Sequence, residues 1–138
     1  MAANLDLVRS ILADWERGDW SSANWAHPQI EFTFGGGPTA GTWRGPAGIA
    51  EGWRDFLAAW DGFRVEADEY REVDDERILV LTRWGGRGRT SRLDLDQMST
   101  ESAVAFQLRD GKVTRLVPYF DRDRAFAELG LAPEGEMH

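Results

Sequence analysis

Two acids and two arginines, Asp121-Arg122-Asp123-Arg124, stand where the apolar stretch Val113 to Phe120 ends and a helical stretch begins. Two chemistries fit an acid at such a junction. A carboxylate facing a pocket walled by tryptophans loses hydration, its pKa rises, and it becomes a general base near neutral pH. A carboxylate at the start of a helix also serves as an N-cap, accepting amide hydrogen bonds. The two roles can be divided, with Asp123 capping and Asp121 facing inward. Tyr119 shares strand parity with Asp121 and can donate to a substrate oxygen. Its plainer role is a core tyrosine with its hydroxyl at the surface. His27 is one of only two histidines, and is a candidate base or donor. The plainer alternative is a His-Pro turn packed beneath the first strand. The candidate catalytic set is therefore Asp121, Tyr119 and His27. Arg83 can bind a carboxylate or enolate, or stand exposed in a salt bridge.

The chain has seven Trp and seven Phe in 138 residues. Trp15, Trp25, Phe32, Trp43, Trp53, Phe56, Trp60, Trp84 and Phe106, with Arg83, form the candidate ligand-binding set around an apolar cavity for a flat or hydrophobic molecule. The same residues at helical and strand spacing also serve as core, and sheet-face contacts of a dimer are a third use. The net charge of −8 argues against nucleic acid and anionic membrane surfaces, which need a basic face. There is no cysteine and no second internal histidine, and the carboxylates do not cluster at ligand spacing, so neither a metal nor another cofactor is expected. No signal-peptide pattern or membrane-length apolar run is present, which makes a soluble cytoplasmic protein the expectation.

Apolar residues at 42% of the chain can bury one core, consistent with a single domain over 1–138, ordered from about 4 to 131. Leu5, Val8, Leu12 and Trp15 share a helix face, capped by Asn4 or Asp6 and ended by Gly18. A short helical piece is expected from Asp19 to Trp25. Residues 30–34 alternate as a strand before Gly35-Gly36-Gly37-Pro38. Pro46 opens the strongest helix, carried by Ile49, Trp53, Phe56, Leu57 and Trp60 and ended by Asp61-Gly62. Four antiparallel stretches follow. They are 63–73, 78–84, a bulged run through 92–98 and 102–109, and 113–120. Their turns lie at Asp74-Asp75-Glu76, at residues 85–91, and at Arg109-Asp110-Gly111-Lys112. A last helix runs to Leu129. Helices, strand, helix and then a run of strands make an α+β protein.

In that order the residues resemble the SnoaL-like family of the nuclear transport factor 2-like, or ketosteroid isomerase-like, superfamily. The likeness is carried by Gly18-Asp19, His27-Pro28, Trp43-Arg44-Gly45-Pro46-Ala47-Gly48 and Gly86-Arg87-Gly88-Arg89-Thr90-Ser91. It continues through Leu108-Arg109-Asp110-Gly111-Lys112-Val113, Tyr119-Phe120-Asp121-Arg122 and Ala127-Glu128-Leu129-Gly130-Leu131. The resemblance implies a cone: a curved antiparallel sheet with the N-terminal helices packed on its concave face. It also implies chemistries that the residues can be tested against. A ketosteroid isomerase would hold its base near Phe32, but the neighbouring acid, Glu31, points to the opposite face, and Trp15 stands nearest to the place of a helix-one tyrosine donor. An epoxide hydrolase of this superfamily would use Arg83 with two acids, but Gly85 and Pro118 occupy those positions. Neither activity is expected. Polyketide cyclases of the SnoaL type use one buried carboxylate, which Asp121 matches.

The function expected is binding of a hydrophobic small molecule in an aromatic-lined cone, with cofactor-independent proton transfer of the cyclase or isomerase type as its catalytic form. The alternative is a non-catalytic binding or dimerisation domain. A homodimer through the sheet face is the expected assembly.

Overall fold

The computed structural model describes residues 2–19, 24–33, 42–58, 60–88, 100–119 and 122–130. The elements in chain order are α1 (Ala2–Glu16), β1 (Ala26–Thr33), β2 (Thr42–Arg44), α2 (Gly45–Ala58), β3 (Trp60–Glu72), β4 (Arg77–Gly88), β5 (Thr100–Arg109), β6 (Lys112–Tyr119) and α3 (Arg122–Leu129). One curved six-stranded sheet runs β2-β1-β6-β5-β4-β3. Its pairs are antiparallel except β1 with β6.

Period-two burial divides the sheet into two layers. On β4, Ile78, Val80 and Trp84 face inward, while Leu79 and Leu81 face outward. On β5, Val104 and Phe106 face inward, and Ala103 and Ala105 outward. The inner layer holds Val8, Ile11, Leu12 and Trp15 of α1 with Ile49, Trp53 and Phe56 of α2, so both N-terminal helices pack on the concave face. The outer layer holds Ala125 and Phe126 of α3. The last helix therefore covers the opposite face of the sheet from the first two.

Helix α1 ends in a Schellman turn, with Asp19 N–H on Asp14 O and Gly18 N–H on Trp15 O, each at 2.9 Å. It starts before its expected caps: Asn4 lies inside the helix, and its side-chain amide donates to Asp75 O at 3.0 Å. Helix α2 comes very close to β1. A Cβ on Gly52 would stand 2.6 Å from the Phe32 ring and 3.1 Å from Trp43, so only a bare backbone fits there. The helix stops at Ala58, and Trp60 opens β3 instead of continuing the helical stripe expected of it. A short strand that the sequence reading does not include, β2, pairs Thr42–Arg44 with Glu31–Thr33. Residues 85–88, expected as turn, still pair within β4, and the turn at 109–112 forms with positive φ at Asp110 and Gly111. The expected helical piece from Asp19 to Trp25 and the strand at 92–98 fall largely or wholly outside the described residues.

Two irregularities bend the sheet at β3, one between Asp61 and Arg64 and one at Asp68, where the register with β4 shifts by a residue. The second fixes the position of the Asp68 carboxylate.

Candidate functional site

The inner face carries a contiguous aromatic array. Trp15 of α1 packs edge-on to Trp53 at 5.1 Å between ring centroids and stacks on Phe106 at 5.9 Å. Trp53 meets Phe32 at 5.0 Å and Phe56 at 5.8 Å. Phe56 in turn meets Phe63 at 4.9 Å and Trp84 at 5.9 Å. Trp43 on β2 closes on Phe32, and Trp25 on Trp15. Each such pair adds about 0.5–1.5 kcal/mol beyond the area it buries, so the array is rigid as well as apolar. The structure thus brings together Trp15, Trp25, Phe32, Trp43, Trp53, Phe56, Trp84 and Phe106 of the expected binding set. The side chain of Trp60 lies outside the described residues.

Phe63 belongs to the array but not to the expected set. Its signal was available: it begins the alternation of FRVEADEYREV, on the parity of the buried Val65, which pairs with Trp84.

The array reaches solvent where α1 ends beside β3. A cleft of about 430 Å³ opens there, lined by Trp15, Phe63 and Val65 below and by Glu16, Arg17, Arg64 and Glu66 at the rim, with Gly18. Glu16 spans the gap: its Oε2 accepts the Ala67 N–H at 3.0 Å, tying the helix end to the strand next to the Asp68 bulge. Among the described residues, polar groups on the inner side are few. Thr82 and Ser102 are fully buried cross-strand neighbours, and their hydroxyls share a hydrogen bond at 2.8 Å. The Trp25 Nε1 is buried with no acceptor among the described residues.

The remaining candidates lie elsewhere. Tyr119 is on the outer face, packed under α3, and its hydroxyl donates to Glu128 at 3.0 Å. Burial, then that bond and the Glu128 charge, push its phenol up to about 12. Strand β6 changes parity at the register shift opposite Gln107/Leu108, so Val113 and Leu116 point in while Val117 and Tyr119 point out. The parity shared by Val113 and Tyr119 in the sequence is lost at that shift. His27 alternates with the buried Ala26, and its Nδ1 accepts the Gln29 N–H at 2.9 Å. Arg83 is exposed on the outer side and pairs with Asp68 at 3.2 Å. Asp121 lies outside the described residues.

The residue of the Asp-Arg-Asp-Arg run with the strongest described role is Arg122. It is only 7% exposed. Its Nε donates to Ser102 O at 3.0 Å, and one Nη to Thr82 O and Asp68 Oδ2, both at 2.9 Å. The guanidinium fork spans β5, β4 and the β3 bulge at once, a geometry that suits arginine and not lysine. Arg124 pairs with Glu128 one turn along α3 at 2.9 Å, and Asp123 sits in the first turn. So the described charges at this junction serve the architecture of the outer layer.

Among the described residues no group of three or more His, Cys, Asp or Glu is arranged to hold a metal, and no helix is long and apolar enough to cross a membrane.

The SnoaL-like domain family matches residues 8–116. No curated protein sequence matches the chain. Among solved structures, TerC co-crystallised with polyporic acid is 26% identical, with 92% of this chain and 97% of that one covered, at a TM-score of 0.70. A nuclear transport factor 2-like protein of unknown function from Burkholderia pseudomallei is 19% identical, with the same coverage of 92% and 97%, at a TM-score of 0.72. A putative polyketide cyclase from Sinorhizobium meliloti is 20% identical over 82% of this chain and 93% of that one, at a TM-score of 0.61.

Proposed function

This chain belongs to the SnoaL-like domain family, and from that premise we propose that it binds a planar hydrophobic small molecule in the cleft between the end of α1 and β3, against the edge of the aromatic array. The observation that carries the reading is the continuity of the array with that cleft: Trp15 and Phe63 belong to both. A flat apolar ligand gains by stacking on rings already held in place, because little side-chain freedom remains to be lost. Glu16, Arg17, Arg64 and Glu66 ring the opening with both signs of charge. They suit a ligand whose body is apolar and whose edge carries polar groups.

Proton transfer with Asp121 as base has less support. Tyr119 and His27, the expected donors, turn their polar atoms to Glu128 and to the Gln29 amide, neither of which lines the cleft. Among the described residues, which do not include Asp121, the buried polar side chains on the inner face are the Thr82 and Ser102 hydroxyls. Binding is the function these groups support.

TerC was crystallised with polyporic acid, which makes that compound a suitable first probe, alongside 1-anilinonaphthalene-8-sulfonate. With seven tryptophans, intrinsic fluorescence reports directly on ligand entry. Expected is saturable quenching at one ligand per chain, weakened at least tenfold by Phe63→Ala while circular dichroism stays unchanged. If neither probe quenches saturably, or if the Phe63→Ala protein binds as well as the parent, the proposal fails.

A further inference from the structure

A second cleft opens on the opposite face of the sheet, and it is built differently. It lies beside the last turn of α3, has a volume of about 130 Å³, and is lined by residues of β4, β5, β6 and α3, with Ile78 and Phe106 of the inner layer at its floor. Strand register sets out its plan. Arg77 stands beside Gln107, and Gln107 beside Arg115, as one polar row across three strands. One step along, Leu79, Ala105 and Val117 make an apolar row. Ala105 is the small member of that row, and it leaves a hollow between its larger neighbours. Leu129 of α3 lies over the hollow.

The cleft carries a local excess of positive charge. Arg77 is held by Asp74, and Glu128, the acid among the lining residues, is held by Arg124. Arg115 is exposed beside them. Three arginines against these two acids leave one positive charge in excess, on a chain whose net charge is −8. Arg77 and Arg115 flank Gln107 from either side, at roughly 10 Å between their backbones given the spacing of strands. Their side chains can therefore close on a single small anion.

We propose that this cleft is a second ligand site, taking a small amphipathic carboxylate. Its apolar tail lies against Ala105, Val117 and Leu129. Its carboxylate sits between Arg77 and Arg115, with the Gln107 amide as a further donor. None of the residues that line it lines the aromatic cleft, although Phe106 of the array borders it from within the sheet, and the site stands whether or not that cleft binds a ligand. Tyr119, expected to serve an inner pocket, forms part of this outer wall.

The probe is octanoate, followed by calorimetry and by the chemical-shift changes of 13C-carboxyl-labelled octanoate. Expected is saturable binding at one octanoate per chain. Arg115→Gln, an exposed change that leaves packing alone, should weaken it at least tenfold. Ala105→Leu should abolish it by filling the hollow, and Phe63→Ala should leave it within twofold. Octanol, which lacks the charge, should bind far more weakly. If octanoate fails to saturate, or if Arg115→Gln binds it as the parent does, the site is refuted. If Phe63→Ala is the variant that loses octanoate, the compound occupies the aromatic cleft and the outer site is equally refuted.

Discussion

Replacing Arg122 by methionine isolates the group that joins three strands to α3. Methionine keeps an unbranched apolar stem of similar reach and removes only the fork. The fork donates to two main-chain carbonyls, Ser102 O and Thr82 O, and to Asp68. Losing the charged donor to each carbonyl costs about 1.5–3 kcal/mol. Asp68, whose side chain is 31% exposed, rehydrates and adds little. The expected loss is about 3–4 kcal/mol, the lower part of the sum for two such bonds. Unfolding entropy near 2.1 cal/mol/K per residue, over 138 residues, turns that loss into a fall in Tm of roughly 10–14 °C. Arg122→Lys should fall between the parent and Arg122→Met, because one ammonium cannot face all three acceptors. Asp68→Asn, which keeps an oxygen acceptor, should cost about 1 kcal/mol. The assays are urea unfolding and a thermal melt by circular dichroism. An Arg122→Met protein within about 1 kcal/mol of the parent would refute the idea that this guanidinium satisfies the two carbonyls.

Gly52→Ala should lower the urea midpoint by the equivalent of about 1–2 kcal/mol, because the clash with the packed Phe32 ring outweighs the gain in helix propensity. A midpoint that rises would show that α2 can back away from β1. Tyr119 has a folded-state value near 12 against an ordinary 10.0. A raised value stabilises the fold fully below pH 10, and that contribution is lost as the pH climbs from 10 to 12. Stability of the parent should therefore fall by up to about 1.4 kcal/mol per pH unit in that window, and Tyr119→Phe should lose that part of the slope. Equal slopes in the two proteins would contradict the assignment. Glu16→Ala removes the acceptor for Ala67 N–H and, the bond being exposed, should cost about 1 kcal/mol in urea unfolding. It should also speed association of polyporic acid in stopped-flow quenching, and an unchanged rate would mean that the tie does not restrain the opening.

The family resemblance, the α+β class and most of the elements were legible in local signals. Period-two alternation marked β3 through β6, helical spacing marked α1 and α2, and Asp110-Gly111 marked its turn, because these patterns depend only on neighbours in the chain. The aromatic array was legible in composition, since that many large rings in one short chain must meet somewhere. Tertiary structure decided the faces. A register shift opposite Gln107/Leu108 reversed the parity of β6 and carried Tyr119 outward. The extra residue at Asp68 in β3 met Arg122 across two other strands. Trp60 looks like the next turn of a helix until β3 takes it as its first residue. A bulge costs one residue and leaves no fixed mark in the sequence, yet it flips every side chain beyond it. Which residues an aromatic core and an arginine fork bring together is therefore a property of the assembled sheet.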